Sequence, residues 1–146
     1  MFIDFLEVVE NKLYITLGGR TYLFDENENI NFDKFEYLVK DNFRVEGIYG
    51  YGEYLFFSSK KGILNLRDNE LIPSSLYFNF RVNDVLKFNN ILYIGTSGGL
   101  AIYDLESKQL NNFYDFSFIR NIFKVELVGD FLVLLTSTGL IKLNLS

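Results

Sequence analysis

The side chains in this chain that could do chemistry are few: acids, arginines and asparagines. Histidine and cysteine are both absent from its 146 residues. That removes the commonest general base and zinc ligand, the thiol nucleophile, disulfides and thiolate metal sites. What remains forms two groups. The first is the spacing Arg44–Glu46 and Arg81–Asn83, which Asp4 joins by position. Residues two apart on a strand project to one side. Convergent polar groups in a concavity are the default ligand site, and the carboxylates of Asp4 and Glu46 are of the type that does acid–base work. Ordinary hydrogen bonding at strand ends would employ the same residues equally well. The second group is Asp25, Asn27, Asn29, Asp33 and Glu36, whose oxygens fall at positions 1, 3, 5, 9 and 12 of a calcium-type loop. Position 6, where such a loop needs glycine, is Ile30, and the flanking runs are β-prone rather than helical. Ser97-Gly98-Gly99 and Ser137-Thr138-Gly139 lack the nucleophile-elbow pattern, and no histidine could activate either serine, so they read as turns. Gly18-Gly19 is likewise a turn, because no helix follows it.

The elements that must position these residues repeat along the chain. Leu92 to Leu105 reads LYIGTSGGLAIYDL, two β-prone runs around a glycine turn. The same layout recurs at Leu13, Leu55, Leu92 and Leu132, with starts 42, 37 and 40 residues apart. Gly62, Gly99 and Gly139 each follow the aligned leucine by seven residues, and Gly19 follows Leu13 by six. Upstream, the apolar pairs Ile3/Leu6, Val45/Ile48, Val82/Val85 and Ile122/Val125 align as well. Self-similarity at this period means a solenoid, a propeller or an array. Short β-branched and aromatic runs exclude helical repeats. Each copy then holds strands A, B and C, with a phenylalanine-rich strand D expected at 32–39, 76–80 and 113–118. Alternation of Phe78 with Phe80, and of Tyr114, Phe116 and Phe118, puts each set on one strand face, packed between sheets or exposed to a partner. The fourth copy ends after strand C. About fifteen strands are expected, with an unpaired edge on the last sheet.

Composition narrows the function. A net charge of −5 opposes a phosphate-backbone surface, so no nucleic-acid partner is expected. The opening MFIDFLEVVE carries three acids and no basic region, unlike a signal peptide. No apolar run approaches membrane-spanning length, so no membrane partner is expected. The lack of cysteine fits a cytoplasmic location. No cofactor is implied.

Copy three resembles the blade of two-component-regulator propellers, through Tyr93, Gly95-Thr96, Gly99-Leu100 and Tyr103-Asp104. Copy four keeps Thr136 and Gly139-Leu140, and Tyr93 stands where the family has tryptophan. WD40-like and quinoprotein-like propellers share the blade plan. The resemblance implies an all-β, propeller-type array of about four antiparallel blades, the last with strands A, B and C only. As a single domain, the blades would run about 1–40, 41–79, 80–118 and 119–146. In such an array the A strands line a channel, and Asp4, Arg44, Glu46, Arg81 and Asn83 would ring its mouth. Four blades could close on themselves, two copies could close an eight-bladed ring as a homodimer, or the chain could be a split half of a longer one. The expected function is a non-catalytic binding or assembly module. Its partner would be another protein or a second copy, paired through the last blade's open edge. The alternative is a small-ligand sensor or carboxylate-based enzyme at the channel mouth.

Overall fold

The computed structural model describes residues 3–17, 20–25, 43–115 and 121–145. Its strands form four antiparallel sheets in chain order. Blade one contains β1 (Ile3–Val9), β2 (Lys12–Leu17) and β3 (Arg20–Asp25). Blade two contains β4 (Gly47–Tyr51), β5 (Tyr54–Ser59), β6 (Gly62–Asn65) and β7 (Glu70–Pro73). Blade three contains β8 (Val82–Phe88), β9 (Ile91–Thr96), β10 (Leu100–Asp104) and β11 (Gln109–Tyr114). Blade four contains β12 (Ile122–Val128), β13 (Phe131–Thr136) and β14 (Gly139–Asn144). Blades one and two belong to one compact unit, Met1–Pro73, and blades three and four to a second, Ser74–Ser146.

Turn chemistry explains the repetition. Every hairpin joining the first two strands of a blade carries a residue at positive φ: Asn11, Gly52, Asn89 or Gly129. Asparagine and glycine tolerate that conformation, which matches the twist of two-residue hairpins. The first strand is bulged in three blades. Register shifts fall between Ile3 and Phe5, Val82 and Asp84, and Ile122 and Lys124.

Each unit has its own core. In the first, Tyr14, Phe43, Val45, Ile48 and Phe57 pack together, with the Tyr14 and Phe57 rings edge to face at 5.9 Å. In the second, Tyr93 and Leu100 of blade three pack on Ile122, Val125, Leu132 and Leu134 of blade four. Gly95 permits this approach, because a Cβ there would lie 2.8 Å from Ile122 and 2.9 Å from Val125. Blade three is apolar on both faces: Val85, Ile94 and Ala101, cross-strand neighbours on its other face, are also fully or almost fully buried.

Strand D lies elsewhere than expected. In blade two it is β7, and 76–80 is no strand. Ser74–Tyr77 forms a 3-10 turn, and Phe78 and Asn79 both take a φ of 58°, which no strand accommodates. Pro73, which has no N–H to donate, ends β7 on the sheet edge where proline is tolerated. In blade three the strand begins upstream, at Gln109, and ends at Tyr114. Phe78, Phe80 and Phe113 still meet as an aromatic cluster, with Phe78 edge to face on Phe113 at 5.0 Å. The expected strand at 32–39 and residues Phe116 and Phe118 lie outside the described residues.

Blade four has no fourth strand among the described residues, and its turn glycine records the difference. At Gly62 and Gly99 an added Cβ would meet the strand-D carbonyls of Ile72 and Tyr114; at Gly139 it would meet nothing within 4 Å. Gly99 (φ 154°) and Gly139 (φ 127°) share the strain that alanine would suffer, about 1–3 kcal/mol. Only at Gly99 must a neighbouring strand also move. Gly99→Ala should therefore lose more stability in urea unfolding than Gly139→Ala. Equal losses would mean that β11 does not press on the turn.

Candidate functional site

In blades two, three and four, one end is built from the turn joining the second and third strands and the segment preceding the first. A hydroxyl at the end of the second strand clasps the turn glycine. Thr96 donates to the Gly99 carbonyl at 2.7 Å and accepts from the Gly98 N–H at 3.1 Å. Thr136 repeats this with Gly139 and Thr138 at 2.8 and 3.2 Å. Ser59 does so more loosely, donating to Gly62 at 3.4 Å and accepting from Lys61 at 3.0 Å. The residue before the first strand then closes on the turn. The Ser97 N–H donates to the Arg81 carbonyl at 2.9 Å, the Arg81 N–H to the Ser97 hydroxyl at 3.1 Å, and the Ser137 N–H to the Asn121 carbonyl at 3.0 Å.

The residues singled out by spacing fall in both units. Exposed Arg44 and half-buried Glu46 line one cavity of about 470 Å3 with Ser59, Lys60 and Lys61. Arg81 and Asn83 belong to the second unit. Asn83 is the bulge residue of β8, and its amide donates to Asn121 Oδ1 at 2.7 Å and to the Ile122 carbonyl at 2.9 Å. It ties blade three to blade four. Asp4 occupies the same bulge position on β1. Asp25 ends β3 opposite Lys12, whereas Asn27, Asn29, Asp33 and Glu36 lie outside the described residues. Among the described residues no cluster of three or more Asp or Glu side chains could hold a metal ion.

Sequence reasoning passed over two features. One is the Lys60-Lys61 turn. In the repeat alignment Lys60 occupies the place of Ser97 and Ser137, so it belongs beside Arg44. The other is Asp84, which sits at the β8 register shift, where the other copies carry Phe5, Gly47 and Lys124. It is 9% exposed, accepting from the Val85 N–H at 3.0 Å and from the Val125 N–H of blade four at 2.9 Å. Burial raises its pKa above the ordinary 3.8, and the two backbone hydrogen bonds and Lys124 only partly oppose the rise.

A second cavity, of about 380 Å3, lies between blades one and two and uses its charges internally. Glu10 accepts the Gly52 N–H at 3.1 Å, and Arg67 lies 4.6 Å from the Tyr54 ring centroid and 3.7 Å from Glu53. Burial, aided by Glu10, raises the pKa of Tyr14 on its wall.

No family model matches the sequence, and neither does any curated protein. Solved structures do match. The computationally designed protein Ika4 aligns with a TM-score of 0.67 and 12% identity, over 99% of this chain and 92% of its own. The designed protein Ika8 aligns at 0.65 and 13%, over 94% of this chain and 43% of its own. PorZ, an essential surface component of the type-IX secretion system of Porphyromonas gingivalis, aligns at 0.63 and 16%. PorZ is a propeller-type protein. The chain has a propeller-type β fold. It spans 96% of itself but only a fifth of PorZ, and less than half of Ika8. At these identities the likeness concerns the fold alone.

Asp84 gives this fold a pH signature. Its folded pKa lies above the unfolded value, so in the window between the two the native state binds more protons than the unfolded chain. Stability must fall as pH rises through that window. Asp84→Asn leaves one buried N–H without its acceptor and should cost about 1–3 kcal/mol. The wild-type advantage over Asp84→Asn should shrink as pH rises from about 4. Urea unfolding of both proteins across pH checks this, and an advantage that grows with pH would reverse the assignment.

Proposed function

We propose that residues 1–146 act as one propeller domain, a non-catalytic assembly module that closes an eight-bladed ring with a second copy of itself. The blades, at about 1–40, 41–79, 80–118 and 119–146, supply half of that ring. Two-fold pairing is the commonest route to closed oligomers. The observation that carries the reading is a group of exposed apolar side chains on the sheet face at each end of the repeat, interspersed on blade four with Lys124, Glu126 and Lys142. On blade four, Leu135 and Leu140 are direct cross-strand neighbours, 42% and 73% exposed, and Val128 and Phe131 share their face. On blade one, Leu6 and Val8 are 54% and 65% exposed, on the opposite face from Tyr14 and the core it shares with blade two.

Within each unit, apolar side chains on sheet faces are covered by the neighbouring blade. A second copy offers each terminal face the kind of surface it lacks. Alignment with nearly all of Ika4 and with less than half of Ika8 supports the reading, since the same layout exists as a chain of this length and as part of a longer one. Among the described residues no strand pairs with the outer edge of β14, which offers backbone groups for strand pairing with the partner copy or with another protein. The letters of blade three, Gly95-Thr96 and Tyr103-Asp104 above all, favour propellers of the two-component-regulator type. A second reading, a small-ligand sensor, is favoured by the cavity that Arg44 and Glu46 share.

Light scattering on a gel-filtration column at two concentrations tests assembly. The expected mass is twice the 17.1 kDa of one chain. Leu135→Asp with Leu140→Asp should give a folded monomer, because both side chains are exposed. A wild-type monomer at both concentrations would overturn the reading, and so would a dimer that the double variant leaves intact.

A further inference from the structure

We propose that the cavity between blades one and two is a binding site for a small uncharged aromatic molecule that carries a hydrogen-bond acceptor. Its volume is about 380 Å3. Small-molecule pockets span roughly 300–1,000 Å3 and pair apolar walls with a few placed polar groups. Every described residue that lines the cavity lies in the first unit, so the assignment is independent of ring closure.

The walls follow from strand pairing. Tyr14 and Leu23 are cross-strand neighbours on β2 and β3, and Val9 ends β1 opposite Lys12. Blade two contributes Tyr54, Leu55 and Leu66, the Leu66 N–H donating to the Leu55 carbonyl at 2.9 Å. Val9, Leu23, Leu55 and Leu66 pack against the core yet remain half-buried, which leaves apolar surface for the cavity. The two blades are already in contact. A Cβ at Gly50 would clash with Val9, and Glu10 accepts the Gly52 N–H at 3.1 Å. The sheets therefore cannot close further to fill the space.

Tyr14 supplies the polar group. It is 5% exposed, with its ring held edge to face on Phe57 at 5.9 Å. Among the described residues its hydroxyl has no hydrogen-bond partner. The hydroxyl is not sealed from solvent either, so the cavity that Tyr14 lines is the space from which a partner can come. Burial, aided by Glu10, raises its pKa, so it keeps its proton at neutral pH and donates. The same Glu10 charge opposes an anion at the hydroxyl, and leucine walls give no charge anything in exchange for water. The rings of Tyr14 and Tyr54 favour an aromatic body, edge to face or offset.

The test is an NMR titration of the methyl-labelled full chain, following Val9, Leu23, Leu55 and Leu66. Acetophenone is the uncharged acceptor, ethylbenzene a similar body without one, and benzoate the anion. Acetophenone should give saturable shifts at these methyls and bind more tightly than either of the others. One hydrogen bond is worth about fivefold in affinity. Tyr14→Phe, which keeps the ring on Phe57, should weaken acetophenone by that factor and leave ethylbenzene unchanged. Tyr93 holds the same position in blade three and lines neither cavity, so Tyr93→Phe should change neither probe. No saturable shift with acetophenone, ethylbenzene or benzoate binding as tightly, or equal acetophenone affinity in wild type and Tyr14→Phe would each overturn the proposal. The comparison of probes on the wild type stands without any variant.

Discussion

A sheet that is apolar on both faces needs two neighbours, and the rest of this structure follows from that requirement. Blade three has two such faces: Tyr93 and Leu100 on one, and Val85, Ile94 and Ala101 on the other, are all buried. Burying such a face is worth roughly 25 cal/mol per Å2 of apolar area, and no single blade can secure it alone. The sheets therefore occur as packed pairs in each unit, with one core between blades one and two and another between blades three and four. The requirement does not stop at the first and last blades. Val8 and Leu140 stand in water on sheets whose other faces are packed.

Apolar packing sets how closely two blades approach, but being non-directional it leaves them free to slide. Hydrogen bonds remove that freedom. Asp84 and Asn83 are adjacent at the bulge of β8 and reach different points on the next blade: the carboxylate to the Val125 N–H, the amide to Asn121 and the Ile122 carbonyl. Two directional ties fix the register of β12 against β8. The cost of burying a carboxylate there is partly offset because it accepts from two backbone N–H groups. The bulge itself aims these side chains across the gap, as bulges commonly do.

The repeat was legible in the sequence because turn chemistry is local. Gly62, Gly99 and Gly139 at one spacing, and the apolar pairs seven residues before each aligned leucine, located the first three strands of every described blade. Strand D was not legible. Alternating phenylalanines at 78 and 80 have the period of a strand, yet Phe78 and Asn79 adopt positive φ after Pro73, and the two rings are brought together by a turn. Periodicity over so few residues cannot tell a strand from a turn with the same side-chain spacing. The site was legible in part. The i, i+2 spacing picked out Arg44 and Glu46, which share a cavity, and Asn83, which bonds to the next blade. Lys60 and Lys61 escaped notice because they are remote in sequence from Arg44, and only the pairing of β4 with β5 and of β5 with β6 sets them at the same blade end.

A repeated frame makes its departures informative. The residue before the first strand and the turn after the second meet at one end of a blade through backbone hydrogen bonds, Arg81 with Ser97 and Asn121 with Ser137, to which the Ser97 hydroxyl adds one at Arg81. Neutral serine is enough for that purpose. Two lysines at the corresponding turn of blade two contribute nothing to the clasp that serine would not, since only the Lys61 backbone takes part. Their charges must also be hydrated beside Arg44. What the fold does not require, a site can use, since binding residues concentrate on loops that a rigid frame positions.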